Sequence, residues 1–596
     1  MPQALSISEP MPLMTLLTTA SVQRSSSVRT PSVFSPCTAA PWPRRALVTL
    51  LACGLASAVA QTAPPQLPPG AEPGRGTLSP VMPQPSLGVP RIEVPRSAAA
   101  EPPPGARQAK FALRELLIDG ATAFPADALR PLYAGLLGRE VTVAEVFEVA
   151  NAIELRYRNA GYVTSRVIVP QQTVTDGRFR LVVVEGFVAD LVYQGEIGPA
   201  RAAVERLMGS LRGLRPVTLA AIERRLLLAN DLPGITVRGT LEPAPNDVGG
   251  SLLVVRVERR ATEGSATLDN RISPYLGDAQ LAGSLAWNAV GERADRFGLN
   301  ARSSLRFERS HSLGASYDAL VTDAGGMLGL TLSHARSKPG RELEALDVQS
   351  RVSTGLFTFT HPLLRGREEN LRAVGQLEVR DVSTDIAGTG FTRDRLRIVR
   401  AGLSYDRSDR FDGITTVRGT LHQGLSGLGA SPNGSALASR VNGRSNFTKL
   451  TLDLTRLQQL GERTSLIASV TGQLSRRPLL ASEEMGLGGA SFGRAFDDGE
   501  VSGDNGLAAM VELRHVPAAW SNNVQVYGYV DAGRVWAADG GAPVARPKLA
   551  SAGGGVRASL NRSVFATLEI AKPINTEVRT QGDKNARAFV SVTAQF

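Results

Sequence analysis

Two periodicities divide the chain. Between Lys110 and Arg260 the apolar spacing switches between strand-like and helical, whereas from Gly264 to Phe596 only alternation remains. In the first stretch Phe111 to Asp119 reads as a strand that closes at Gly120. Thr142 with Glu145 three residues on forms a capping-box pair, and Val146, Val149, Ala150, Ile153 and Tyr157 then lie on one helical stripe. Strands are expected at Thr164 to Val169 and at Phe179 to Val184. The order then recurs: strand Val188 to Tyr193 closing at Gly195, a helix from Thr218 with Ile222, Leu226 and Ala229 on one face, and strands near Ile235 to Thr240 and Leu252 to Val257. The near-equal offsets of Gly120 from Gly195 and of Thr142 from Thr218 predict a tandem βααββ repeat.

Beyond Gly264, sixteen strand-length segments of alternating residues are separated by Gly, Asn, Asp and Ser turns. An even number of antiparallel strands can close on itself, and closure is the condition for strands to cross a bilayer without bare edges. A sixteen-strand transmembrane barrel is therefore expected. In its twelfth strand Leu507, Ala509, Val511 and Leu513 face outward, with Glu512 and Arg514 inward. In the thirteenth, Val524, Val526, Gly528 and Val530 face lipid, which turns Gln525, Tyr527, Tyr529 and Asp531 into the lumen. The final segment puts Ala588, Val590, Val592, Ala594 and Phe596 on one face. Aromatics are only 5%, so any aromatic girdle is thin.

Composition removes competing classes. No apolar run is long enough for a spanning helix. The formal charge is +11, but basic and acidic residues are interleaved, so nucleic acid is not an expected partner. Cys37 and Cys53 are the only cysteines, and the five histidines are scattered, so neither a metal site nor a disulfide scaffold is expected. No nucleotide-binding motif is visible and no cofactor is expected. Arg44-Arg45 followed by ALVTLLACGLASAVA reads as a signal region, residues 1–60, with cleavage before Gln61; Leu50 to Cys53 is an alternative lipoprotein box. Thirteen prolines between Gln61 and Gly105 predict an extended tether over 61–107, without ladder or helix, and hence no amphipathic helix before Arg107 to plug the pore.

Two sets of motifs carry chemistry. Tyr157 to Gly186 contains Gly161-Tyr162, Pro170-Gln171, Asp176-Gly177 and Glu185-Gly186, and in this it resembles the polypeptide-transport-associated (POTRA) module of two-partner secretion transporters. Between the eleventh and twelfth strands, GLGGASFGRAFDDGEVSGDNG carries Gly493-Arg494-Ala495-Phe496 and Ser502-Gly503-Asp504. Tyr529-Val530-Asp531-Ala532-Gly533 follows in the next strand but one. These resemble the sixth-loop signature and aromatic-x-Asp-x-Gly strand motif of the POTRA-plus-barrel superfamily, with Ala495 where glycine is usual.

The resemblance implies an outer-membrane transporter of the TpsB type, similar to hemolysin and adhesin secretion/activation proteins. Its expected layout is POTRA repeats at 108–187 and 188–260 and a barrel at 264–596 with an inward loop at 479–505. It implies that Arg494 and Asp531 pair to anchor that loop, arginine fork to carboxylate. It also implies an unfolded periplasmic exoprotein as partner, outer-membrane lipid around the barrel, assembly machinery that reads the terminal strand, and a monomer. Alternatives are a barrel-assembly protein of the same superfamily and a passive porin. A third, a surface esterase, rests on Gly489-Ala490-Ser491-Phe492-Gly493, which fits G-x-S-x-G but lacks the strand, turn and helix that this motif needs.

Overall fold

The computed structural model describes residues 92–93, 100–520, 523–539 and 548–596. The signal region and most of the proline-rich segment lie outside the described residues.

The first repeat packs one face of a three-stranded sheet, order Glu115–Asp119, Arg178–Val184, Arg166–Ile168, against the helix Val143–Asn159. Thr142 and Glu145 make both bonds of the capping box, and every residue of the predicted apolar stripe is buried. The expected Phe111 to Asp119 strand is broken instead into Lys110–Ala112 and Glu115–Asp119, because Leu113 turns into the core and its N–H bonds Arg139. In the second repeat Thr218 caps the helix Leu219–Asn230, which packs on the strands Phe187–Gln194, Ile235–Pro243 and Gly250–Arg259. Equivalence of the repeats extends to single atoms. Gly120 and Gly195 both have positive φ, and a Cβ on either would lie 2.3 Å from Val183 O and 2.2 Å from Val257 O respectively, so only glycine fits.

One expectation about the tether is corrected. Ile92–Glu93 forms a short parallel ladder with Gly239 and Thr240 on the edge of the second repeat. Pro90 and Pro95 flank this stretch but leave the residues between them their N–H groups, which is enough for a two-residue strand.

All sixteen predicted strands form, from Thr262–Asp269 to Arg587–Gln595, as one closed antiparallel barrel. The seam between first and last strands pairs Ser265 to Asp269 with residues 591–595. Phe596 extends it by exchanging backbone bonds with Gly264, and its ring lies where a side chain on Gly264 would stand. The second repeat docks on the barrel's turns. Arg365 grips Asp231 with two 2.8 Å bonds, Arg367 meets Glu223 at 2.6 Å, and Ala289, Ala294 and Leu320 join the repeat's core. These turns define the periplasmic end, and the long connections at 425–447 and 476–504 open at the other.

Glu185 closes the first repeat. Its buried carboxylate accepts from the N–H groups of Thr122 and Ala123 at 2.6 Å, from the Thr122 hydroxyl and from Tyr157 Oη at 2.9 Å. Burial opposes its ionisation, but those donors hold the carboxyl below its usual range; burial and the neighbouring carboxylate push the Tyr157 phenol up. Glu185→Ala leaves these donors without an acceptor, at about 1–3 kcal/mol for each buried group. Amide exchange over 110–186 in the intact protein should then rise about a hundredfold while the barrel is unchanged; equal exchange in both proteins would exclude this role.

Candidate functional site: the sixth loop inside the barrel

The eleventh strand, Thr464–Ser475, leads into a connection that turns back into the lumen. A short helical turn, Ala481–Glu483, precedes a two-stranded ribbon of Met485–Leu487 and Val501–Gly503, and residues 488–500 form its tip. The tip has a core of its own: Phe492, Ala495 and Phe496 are buried with Leu487, Val501, Tyr527, Leu549 and Phe589. Ala495 takes no positive φ, which is why alanine is tolerated there.

Arg494 lies at the centre. Its Nη1 donates to Glu512 at 2.5 Å and its Nη2 to Glu569, and the guanidinium stacks 3.7 Å over the Tyr529 ring. Tyr527 and Tyr529 donate to the same Glu569 at 2.6 and 3.0 Å, and Arg271 also binds it. Arg514 and Arg557 complete the partners of Glu512 at 2.6 and 2.8 Å. Burial would depress the Arg494 guanidinium, but the two carboxylates raise it above its ordinary value and keep it charged.

The expected fork between Arg494 and Asp531 is thereby corrected. Asp531 instead holds the loop's backbone: its Oδ1 accepts from Gly493 N–H at 2.8 Å and from Ser551 Oγ at 2.7 Å, and its Oδ2 accepts from Arg494 N–H at 3.2 Å. The reason lies in register. Met510 faces Asp531 and Asp531 faces Ser551 across the strands, so Asp531 lies beneath the backbone of the turn, while the Arg494 side chain runs along the wall to Glu512 and Glu569. Gly553 and Gly555 permit this, because the Tyr529 and Tyr527 hydroxyls occupy the space that side chains there would fill. Glu569 and these two glycines escaped sequence reasoning. The available signal was a lone acid at an inward position of a largely apolar strand, Val564–Pro573.

The other motif residues divide by task. Asp504, fully buried, accepts from Arg440 at 2.5 Å and from the N–H groups of Leu479 and Ala538 at 2.7 and 3.0 Å, tying the loop's two limbs to the neighbouring extracellular connections. Ser502 bonds Glu484, and Gly503 lets the ribbon pass against Trp536 and Val535. Gly533 lies under Leu487. In the first repeat Asp176 and Gly177 form a turn with positive φ at both, Gly161 likewise has positive φ, and Tyr162 packs on Tyr157. Gly186 donates to Ser165 Oγ. At Pro170-Gln171 it is the next residue, Gln172, that pairs with the Arg180 backbone, and Pro170 contributes only a carbonyl. Ser491 is in the glycine-rich tip with no helix behind it, and His515 bonds Thr464 at the far end of the twelfth strand.

A second cluster at the root of the loop was not anticipated. Glu483 meets Lys449 at 2.8 Å, Arg380 at 3.2 Å and Arg400 at 3.8 Å, residues of the tenth, seventh and eighth strands. Burial alone would raise the Glu483 carboxyl, but these cations hold it at about 2.

This lumen and these periplasmic repeats define the class: an outer-membrane β-barrel transporter fed by POTRA domains. The chain belongs to the haemolysin secretion/activation protein family ShlB/FhaC/HecB, whose model matches residues 249–558, and residues 111–186 match the ShlB-type POTRA domain. It is 27% identical over 439 residues to the outer membrane transporter CdiB of Dickeya dadantii, covering 72% of this chain and 76% of that one. To the heme/hemopexin transporter protein HuxB of Haemophilus influenzae it is 23% identical over 405 residues, covering 67% and 71%. CdiB from Escherichia coli has the same fold, with a TM-score of 0.69 at 19% identity over 86% of this chain and 94% of that one. CdiB from Acinetobacter baumannii follows at 0.60, 15% identity, 88% and 95%. The protein therefore resides in the outer membrane with its POTRA domains in the periplasm, and moves a partner exoprotein across that membrane by two-partner secretion.

Two outcomes test the site's geometry. In double-mutant cycles read by amide protection of residues 488–500, Arg494→Gln should couple to Glu569→Gln by about 1–3 kcal/mol and less to Asp531→Asn. The reverse order would restore the arginine–Asp531 fork. Because the Glu483 carboxyl is depressed in the folded protein, its contribution is complete above pH about 4.5 and is lost as pH falls toward 2. Glu483→Gln should therefore flatten the acid side of the barrel's thermal-stability profile; an unchanged slope would count against the cluster.

Proposed function

We propose that the sixth loop, held by Arg494 and Asp531, is the element that keeps the barrel competent to pass an unfolded exoprotein delivered by the POTRA pair. What supports this reading is the concentration of buried charge on one loop tip: Arg494 between Glu512 and Glu569, over Tyr529. A passive porin gains nothing from so costly an arrangement, since each buried ion loses several kcal/mol of hydration before pairing returns it. The domain divisions that go with this reading are a signal region to residue 60, a tether to 107, repeats at 108–187 and 188–260, and a barrel from 264. The working unit is a monomer, and the barrel's closing strand, Arg587–Gln595, is the one read by the assembly machinery. The chain acts by conduction and binding, without catalysis.

The test is secretion itself. Cells lacking this chain should lose a large exported protein from the medium. Arg494→Ala and Asp531→Ala should each reduce its release at least tenfold with the barrel inserted at normal levels, and deletion of residues 108–187 should abolish it. Normal secretion by all three variants would overturn the assignment.

A further inference from the structure

The outer wall of the barrel carries an arrangement that transport does not use. On the fourth to eighth strands, His311–Leu320 being within the fourth and Thr389–Asp409 the eighth, outward side chains form continuous rows set by the register. His311, Arg336, Arg351, Ser383 and Arg393 face one another in the row nearest the extracellular end. The next row runs Leu313, His334, Ser353, Asp381, Arg395, and the one below it Ala315, Leu332, Gly355, Val379, Arg397. Further toward the membrane's middle come Tyr317, Leu330, Phe357, Leu377 and Val399, all exposed as lipid-facing residues should be. With strands ~4.8 Å apart, the top row is about 20 Å long.

Charge on this patch is unbalanced. Arg397 pairs with Asp381 at 2.8 Å and Arg351 with Asp385 at 3.3 Å. Among the described residues Arg336, Arg393 and Arg395 have no carboxylate within ion-pair distance, and Arg336 donates only to His334 at 3.1 Å. Arg336 and Arg351 also stand directly opposite each other across the ladder, an arrangement that like charges disfavour unless an anion lies between them. Immediately below the cations, the small residues Ala315, Ser353 and Gly355 lie between the ridges of Leu313, Leu332 and Val379. They form an open groove of about 470 Å³ whose walls are largely apolar and whose upper end is bordered by His334 and Asp381.

We propose that this face binds one phosphorylated glycolipid of the outer leaflet, with its phosphates on Arg336, Arg351 and Arg393 and an acyl chain in the groove. Arginine forks match phosphate oxygens in pairs, and the three strand spacings from Arg336 to Arg393, about 14 Å, suit a disaccharide head bearing a phosphate at each end. The apolar groove starts one rung below, at the depth where a headgroup gives way to hydrocarbon. Anionic lipids of the inner leaflet cannot reach this row, which adjoins the extracellular connections at 305–309 and 338–348.

Native mass spectrometry of the full-length protein, released from detergent micelles, tests this. The probes are bis-phosphorylated hexa-acyl lipid A, its dephosphorylated form, phosphatidylglycerol and inorganic phosphate. The parent should retain bis-phosphorylated lipid A at least tenfold better than the dephosphorylated form or phosphatidylglycerol, and should not retain inorganic phosphate. Arg336→Ser, Arg351→Ser and Arg393→Ser together should remove that preference. Equal retention of both lipid A forms by the parent would overturn the proposal, as would phosphatidylglycerol or free phosphate binding as well as lipid A. Undiminished preference in a folded triple variant would do so too; should that variant not fold, the parent's choice among the four probes still decides.

Discussion

An arginine withdrawn from water must find negative charge, and in this barrel the placement of Arg494 dictates what four strands can carry on their inner faces. Glu512 and Glu569 supply the charge, Tyr527 and Tyr529 orient Glu569, and the glycines opposite those tyrosines make room for them. Removing the arginine alone leaves two carboxylates among Arg271, Arg514 and Arg557; removing one carboxylate leaves a guanidinium half paired. Breaking a buried pair in this way typically costs about 3–5 kcal/mol. Interlocking, rather than the strength of any one bond, makes the tip hard to release.

The loop is held at three heights by different chemistry, and each attachment recruits separate strands. At the root, Glu483 gathers cations from the seventh, eighth and tenth. Along the limbs, Asp504 joins the loop to the extracellular connections on either side through Arg440 and Ala538. Near the tip, Asp497 binds Arg587 on the last strand at 2.7 Å, and Glu500 accepts from Arg579 N–H at 2.8 Å. A barrel without this loop would have several charged groups facing its lumen unpaired, so loop and wall are one electrostatic unit.

Period-two patterning is why the barrel was legible. Each strand has one face in lipid, a one-residue slip exchanges the faces, and so the sequence must alternate wherever the wall is formed. Capping at Thr142 and Thr218 was equally local and equally readable. The pairing at the loop tip was not, because three inward acids, Glu512, Asp531 and Glu569, lie within reach of one turn. The choice among them depends on registers across four strands and on two glycines that act by lacking side chains. The turn's Gly493 and Arg494 N–H groups meet Asp531, while which atom of the loop meets which acid is a property of three-dimensional offset alone. The root cluster was hidden for the same reason, since Lys449, Arg380 and Arg400 come from strands separated in sequence by unremarkable alternation.

Holding the loop against one side also determines where the lumen stays open. The wall charges that hold the loop, Arg380, Arg400, Lys449, Glu512, Glu569 and Arg587, belong to the seventh to sixteenth strands. Inward positions of the first four strands mix small residues, Ser265, Ser284, Gly298, Asn300 and Ser316, with the charged Glu263, Arg296 and Asp318. A cavity of about 750 Å³ lies there, reaching from this wall to Arg562 and Phe596 beside the seam. Its lining offers serine hydroxyls, an asparagine amide and glycine backbone as hydrogen-bonding groups, beside an Arg296–Glu263 pair at 3.6 Å. The asymmetry follows from the ion pairs: because they fix the loop to the later strands, free volume collects along the earlier ones, next to the shortest ladder in the barrel.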